Sequence, residues 1–143
     1  MTSVKLKITA VQLLIGINNL AYVYALSDKV EKAEQCIIRA NSNKSIPEST
    51  KLCLSATQGL LEFRKGNPDL GRILYSDVIN QTKNANYPEL NWSAIINYAR
   101  EEIQINSEYA SSAIDAVKQI TERAVDKDIT MMKQRLLKSL SKS

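Results

Sequence analysis

Two stretches of this chain are alike when they are aligned at an offset of 38 residues. The first is NLAYVYALSDKVEKAEQCIIRA, around Ala21, and the second is SATQGLLEFRKGNPDLGRILYSDVI, around Gly59. Each contains an apolar helix-forming stretch, a short polar break and a second helix-forming stretch with a small residue near its start. Because one such helix pair cannot bury its apolar face alone, the repetition predicts pairs that stack into an α-solenoid.

Apolar periodicity along the whole chain predicts seven helices and no strand. They are expected over residues 9–26, 29–40, 48–65, 68–83, 88–105 and 108–124, with a last one from Asp126 or Asp128 to about residue 141. Polar stretches such as NSNKSIPES and NANYPE are expected to be loops. Ser27 or Asp28, Asn67, and Asn106 or Ser107 are the expected N-caps, and Gly66 is expected to end the third helix.

The composition fits a single all-α domain that spans residues 1–143. Hydrophobic residues make up 44% of the chain and charged residues 24%, which is ordinary for a globular protein, and four Gly and three Pro suit helices. The net charge of +4 is too small to indicate a nucleic-acid-binding protein by itself.

The residue types that enzymes and metal sites use most are scarce. There is no histidine, which removes the commonest general base and the commonest metal ligand. Cys36 and Cys53 are isolated on apolar helical faces, so we expect two buried free thiols and a cytoplasmic location. We therefore expect no metal, no cofactor and no enzymatic activity.

The N-terminal stretch has some features of a secretory signal, since Lys5 and Lys7 precede the apolar run ITAVQLLIGI. Gln12 and Asn18 interrupt the apolar character, and the run continues into the first repeat, so we interpret it as a helix of the domain. No stretch approaches the roughly 18 apolar residues that span a bilayer, and no membrane insertion is expected.

Small and aromatic residues recur at matching positions of the two units. In the first unit these positions hold Ile17, Leu20, Ala21, Tyr24, Ala33, Ile37 and Ala40. In the second they hold Gly59, Gly66, Gly71 and Tyr75. This pattern resembles the tetratricopeptide repeat, in which small residues let helices A and B approach closely. The resemblance implies units over residues 9–40, 48–83 and 89–123 and a capping helix over residues 126–141.

The third unit departs from this pattern. Trp92 and Ile95 fit the start of helix A, but Ile96 lies where a small residue is expected, and Ala110 and Ala113 both suit the small position of helix B. The segments ATQGLLEFRKGN, GRILY and INYAREE also resemble the repeat region of longer bacterial proteins. Whether the chain is a whole protein or an excised module is left open.

The resemblance implies a concave surface that is lined by side chains of the A helices. Its expected partner-binding residues are Asn18, Tyr22, Phe63, Arg64, Asn97 and Arg100. Aromatic, amide and guanidinium groups suit a peptide or a helical partner. The alternative is that Leu60 and Phe63 face the next helix pair as core.

Charged residues allow further hypotheses. Arg100, Glu101 and Glu102 are expected to form an intramolecular salt bridge or a solvated face. A hydrolase would need one of these glutamates beside a hydroxyl nucleophile. Asp69 and Arg72 are spaced to pair on one helix face.

The last helix is basic and amphipathic, with Met131 or Met132 on its apolar stripe. It is expected to cap the stack, although such a helix also suits an acidic partner, a membrane surface or nucleic acid.

The sequence thus predicts a cytoplasmic scaffold that binds a protein or peptide, and self-association through the apolar first helix is a further expectation. The alternative is an accessory nucleic-acid-binding protein that uses the basic last helix and exposed arginines.

Overall fold

The chain is all-α. The structure, a computed structural model, describes residues 2–121 and 127–141, and within these residues it contains seven helices and no strand. The helices are α1 (Thr2–Leu26), α2 (Val30–Asn41), α3 (Glu48–Arg64), α4 (Pro68–Asn84), α5 (Pro88–Gln104), α6 (Ala110–Lys118) and α7 (Lys127–Leu140). The predicted all-α class is therefore confirmed.

Two helices differ in length from the prediction. Helix α1 begins at Thr2, seven residues earlier than expected, because no proline or glycine interrupts the chain before Gly16. Helix α6 begins at Ala110 and ends at Lys118, well short of the predicted residue 124. The last predicted residues of α6 and the predicted start of α7 at Asp126 lie outside the described residues.

Helices α1, α3, α4 and α5 end in the same way, with a residue in the left-handed conformation. These residues are Asp28 (φ 59°), Gly66 (φ 86°), Asn86 (φ 59°) and Asn106 (φ 51°). In each case the following N–H donates to the carbonyl five residues earlier, as from Asn67 to Glu62 at 2.8 Å. This is the Schellman motif, which satisfies carbonyls that the helix end leaves open. The expected role of Gly66 is confirmed.

Two of the predicted N-caps are wrong for the same reason. Asp28 and Asn106 end the preceding helices instead of starting the next ones, and α2 is preceded by Lys29 with no side-chain cap. The Asn67 side chain donates to Glu62. Ser107 does accept a hydrogen bond from the Tyr109 N–H at 3.2 Å, so of the two candidates before α6 it is the one that orders the turn.

Three of the left-handed residues, those after α1, α3 and α5, define equivalent positions in the helix pairs α1–α2, α3–α4 and α5–α6. We call these pairs the three hairpins. Ala21, Gly59 and Ala99 each lie seven residues before one of these left-handed residues, and all three are buried. The small position of α5 is therefore occupied by Ala99, and not by Ile96 as the spacing suggested. Of the two candidate alanines in α6, Ala113 is buried at 4% exposed, and Ala110 is only half-buried.

The chain divides into two compact units, Met1–Leu74 and Tyr75–Ser143. In the first unit α1 packs on α2 and α3, and α2 packs on α3. One core cluster of this unit consists of Leu14, Ile17, Ala40 and Leu54, with Cys36 and Ile46 packed against it. Cys36 and Cys53 are free but only half-buried, which corrects the expectation of full burial.

Helices α3 and α4 approach very closely within the first unit. A Cβ added to Gly71 would lie 2.6 Å from Phe63 Cδ2 and 2.8 Å from the backbone oxygen of Gly59. Contact this close leaves room for hydrogen only, which explains a glycine inside a helix, where it otherwise costs about 1 kcal/mol relative to alanine.

In the second unit α5 packs on α6 and α7. Its core cluster is Ile96, Ala99, Ala113, Val117, Ile120, Ile129 and Leu136, and Met132 packs against it while Met131 is 47% exposed. Lys133 Nζ donates to the carbonyl oxygen of Ile120 at 2.8 Å. Helix α7 thus covers the apolar side of the α5–α6 hairpin, and Met132 is the methionine of its apolar stripe.

Candidate binding surfaces

The predicted partner-binding residues of the first unit make contacts within that unit. Asn18 Oδ1 lies 2.8 Å from Thr57 Oγ1, which is buried and joins α1 to α3. Tyr22 is half-buried on α1. Phe63 is 5% exposed and lies against Gly71. Phe63 and Leu60 are core residues, as the alternative interpretation required.

Arg64 connects α3 to the end of α1. Its Nη1 donates to the Leu26 carbonyl at 3.2 Å and to Asp28 Oδ1 at 3.0 Å, and its side chain is 11% exposed. The guanidinium group thereby satisfies a carbonyl of the last turn of α1. Its observed role is to hold α3 against that turn.

Asn97 and Arg100 contact each other in the second unit. Arg100 Nη1 donates to Asn97 Oδ1 at 2.9 Å, and Arg100 Nε donates to Glu101 Oε2 at 3.1 Å. Asn97 also donates to Ser93 Oγ at 3.3 Å and is buried. The predicted salt bridge of Arg100 is confirmed.

Two buried carboxylates occupy equivalent places, four residues before the left-handed residue of their helices. Glu62 accepts hydrogen bonds from Gln58 Nε2 at 2.9 Å and Asn67 Nδ2 at 3.0 Å. Glu102 accepts from the Tyr98 hydroxyl and from Ser107 Oγ, the latter at 2.9 Å. The backbone oxygen of each glutamate also accepts a hydrogen bond from the N–H of the residue after the left-handed one. Each glutamate therefore stabilises its turn through both its side chain and its backbone.

The arrangement at Glu102 also bears on the hydrolase hypothesis. A hydroxyl, that of Ser107, does contact Glu102, as the hypothesis required. The Glu102 side chain is, however, completely buried. A general base must reach the proton that it removes from substrate or water, so we interpret this pair as structural.

A cleft of about 420 Å³ lies in the first unit, between the end of α2, the following loop, α3 and α4. Its polar lining consists of Asn41, Asn43, Lys44, Lys51, Ser55 and Gln58. Its apolar lining consists of Ile46, Leu54 and Leu74. Two lysines and no acidic residue line the cleft, so its charge favours an anionic group.

The amide groups of the cleft are partly used within the protein. Asn43 Nδ2 donates to the Ala40 carbonyl at 3.0 Å, which secures the start of the loop, and Gln58 Nε2 donates to Glu62. The sequence had identified this loop only by its polar composition. Lys44 and Lys51 are seven residues apart on different elements, and only the fold shows that they line one cleft.

Helix α1 exposes large apolar side chains on its outer face. Leu13 is 56% exposed, Val23 54% and Leu20 45%. No charged residue occurs between Ile8 and Leu26. Exposed apolar patches of this kind commonly mark interaction surfaces.

No family model matches the chain, and neither a curated protein nor a solved structure matches it.

The described residues lack two further kinds of feature. None of their helices combines the length and apolar character needed to cross a membrane. The same residues contain no group of three or more His, Cys, Asp or Glu side chains arranged to hold a metal ion.

Proposed function

We propose that the protein is a non-enzymatic interaction module with tetratricopeptide-like helix pairs, and that it binds an acidic peptide segment of a partner protein. The observation that carries the proposal is the cleft of the first unit, with Lys44 and Lys51 in its lining and no acidic side chain. The close contact of Gly71 with Phe63 supports the tetratricopeptide-like pairing of α3 and α4. A cytoplasmic location follows from the isolated cysteines and belongs to the same proposal.

The cleft suits a peptide better than a small ion. Its volume of about 420 Å³ is within the range of clefts that hold small organic ligands or a few residues of a peptide. Leu54 and Leu74 offer apolar contact, while the lysines offer charge-assisted hydrogen bonds to a carboxylate. An apolar residue next to an Asp, a Glu or a terminal carboxylate would use both kinds of lining.

Two of the six residues of the predicted concave surface have a different part in this proposal. Asn18 and Arg64 hold α1 and α3 together, and α3 forms one wall of the cleft. We therefore assign them a role in shaping the cleft. Direct contact of Tyr22, Asn97 and Arg100 with a partner stays a prediction.

The proposal is tested by selecting short random peptides from a display library against the full chain. We expect the selected peptides to combine acidic and apolar residues. The variants Lys44→Glu and Lys51→Glu should each weaken binding by about tenfold or more, because a lost charge-assisted hydrogen bond costs about 1.5–3 kcal/mol. Lys83→Glu is the matched control, since Lys83 is also an exposed lysine and lies in the second unit.

Selected peptides that bind the cleft variants as tightly as the unmodified chain would contradict the proposal. The same titrations with a short DNA duplex test the nucleic-acid alternative. Binding to DNA that falls steeply with salt and survives Lys44→Glu would favour that alternative, because counterion release gives such a salt dependence.

A further inference from the structure

The outer face of α1 carries apolar residues at a regular spacing. Leu13, Gly16, Leu20 and Val23 follow one another at intervals of three, four and three residues. This is the spacing of a seam between two paired helices. The three large side chains are each about half exposed, and an added Cβ at Gly16 would have no atom within 4 Å. The seam is thus complete in sequence, and within the described part of the chain its large side chains stay half exposed.

We propose that this seam pairs with the same seam of a second copy of the chain, with the two α1 helices antiparallel. In a two-fold arrangement centred midway along the seam, Leu13 lies opposite Val23 of the second copy, and Gly16 lies opposite Leu20. The Leu20 side chain of each copy then packs against Gly16 of the other copy, so the contact occurs twice. Such self-complementarity is what a two-fold interface requires.

The position of Gly16 supports this occupant. Glycine is among the poorest helix formers, so a glycine inside a helix lowers its stability. At Gly71 this cost is offset by the close contact of α4 with α3. Gly16 has no such contact among the residues that the structure describes. The Leu20 side chain of a second copy would provide it.

The absence of charge on residues 8–26 of α1 also favours a second copy over a different partner. Residues 8–26 contain no Asp, Glu, Lys or Arg, so two identical faces do not repel each other, and a charged partner would gain no ion pair there. The face is also separate from the cleft, whose lining includes no residue of α1. The inference therefore does not rest on the proposed function.

The experiment measures the mass of the full chain by sedimentation equilibrium over micromolar to millimolar concentrations. We expect a reversible dimer of modest affinity, because one helix seam buries less than the roughly 1,600 Å² of a standard interface. Leu20→Glu should raise the dissociation constant at least about tenfold, since it places two like charges in the seam. Ile73→Glu is the matched control, since Ile73 on α4 is an apolar residue that is even more exposed than Leu20 (65% against 45%), and it should leave the dimer unchanged.

Gly16→Ala separates folding from pairing. It should raise the thermal midpoint of the monomer, because alanine favours a helix and has open space around it. It should nevertheless weaken the dimer, because its methyl group would occupy the space of the second copy's Leu20 side chain. A chain that stays monomeric at millimolar concentration would overturn the proposal. So would unchanged dissociation constants for both Leu20→Glu and Gly16→Ala. Loss of peptide binding with an intact dimer would instead count against the cleft alone.

Discussion

Gly71 shows how strictly one residue can be set by its neighbours. The ring of Phe63 and the backbone oxygen of Gly59 lie within 2.9 Å of where its Cβ would be. We expect Gly71→Ala to lower the free energy of unfolding by about 1–3 kcal/mol, the usual cost of overpacking. Urea denaturation measures the change.

Gly16→Ala is the matched control for Gly71→Ala, because it is the same substitution in a helix with open space around it. It should not destabilise the chain. Equal losses for the two variants would show that the close approach of α3 and α4 is not what requires glycine at position 71.

We expect the Glu102 side chain to stabilise the second unit through its hydrogen bonds. Replacing it with Met would leave the hydroxyls of Tyr98 and Ser107 without the carboxylate that accepts from them. Because unsatisfied buried groups cost about 1–3 kcal/mol each, we expect the free energy of unfolding to fall by at least about 2 kcal/mol. Glu89→Met, at an exposed position of the same helix, should change it by less than about 0.5 kcal/mol. A similar effect of both variants in chemical denaturation would refute the assigned role.

Cys53 predicts a pH dependence of stability. Burial raises the pKa of its thiol above the ordinary value of 9.0. Above that pH the thiol ionises in the unfolded chain while it stays protonated in the folded one, so the folded state loses stability as the pH rises. As the pH rises above 9.0, the free energy of unfolding should therefore decline less steeply for Cys53→Ala than for the unmodified chain. Identical slopes would mean that the thiol titrates alike in both states.

Single residues also show what the sequence can and cannot predict. The pair Asp69–Arg72 was predicted and is confirmed at 2.9 Å, because its geometry depends on one helix alone. Asn18 and Thr57 are 39 residues apart, and their contact depends on how α1 meets α3. Asp28 was assigned to the wrong helix because the residue types that start helices also tolerate the left-handed conformation that ends them.

Helix α7 was predicted to cover the end of the helical stack, and in the structure it packs on the core of the second unit. Its buried residues Ile129 and Leu136 belong to the same cluster as Ala113 and Val117 of α6. We expect Leu136→Ala to lower the free energy of unfolding by about 2–4 kcal/mol, through lost burial and the cavity that remains.

The two methionines of α7 provide an internal comparison in the same denaturation experiment. Met132→Ala should destabilise the chain clearly more than Met131→Ala, because Met132 packs against the cluster and Met131 is 47% exposed. The reverse order would mean that α7 is rotated about its axis relative to this structure.

Most helices were predictable because apolar periodicity, proline and glycine mark them in the sequence itself. The register of the third hairpin was not. Ile96 and Ala99 are three residues apart and lie on the same helical face, so periodicity cannot choose between them. The turn at Asn106 distinguishes them, and its left-handed conformation is visible only in the fold.

At the scale of the whole molecule, the cleft could not be predicted because its lining comes from four separate segments. Lys44 lies in the loop after α2, Lys51 in α3 and Leu74 in α4. Each residue is unremarkable within its own segment. Their shared chemistry, two cations and several apolar side chains in one lining, appears only in the folded chain.

The central claim, that this cleft binds an acidic peptide, is tested most directly by residue-resolved NMR. The full chain is titrated with a peptide from the display selection, and backbone amide shifts are followed in both units. We predict that the largest shifts occur at Lys44, Lys51, Ser55 and Gln58, and that in Lys44→Glu they need about tenfold or more peptide to reach the same size. Shifts that are confined to α7, or that are the same in Lys44→Glu as in the unmodified chain, would contradict the account.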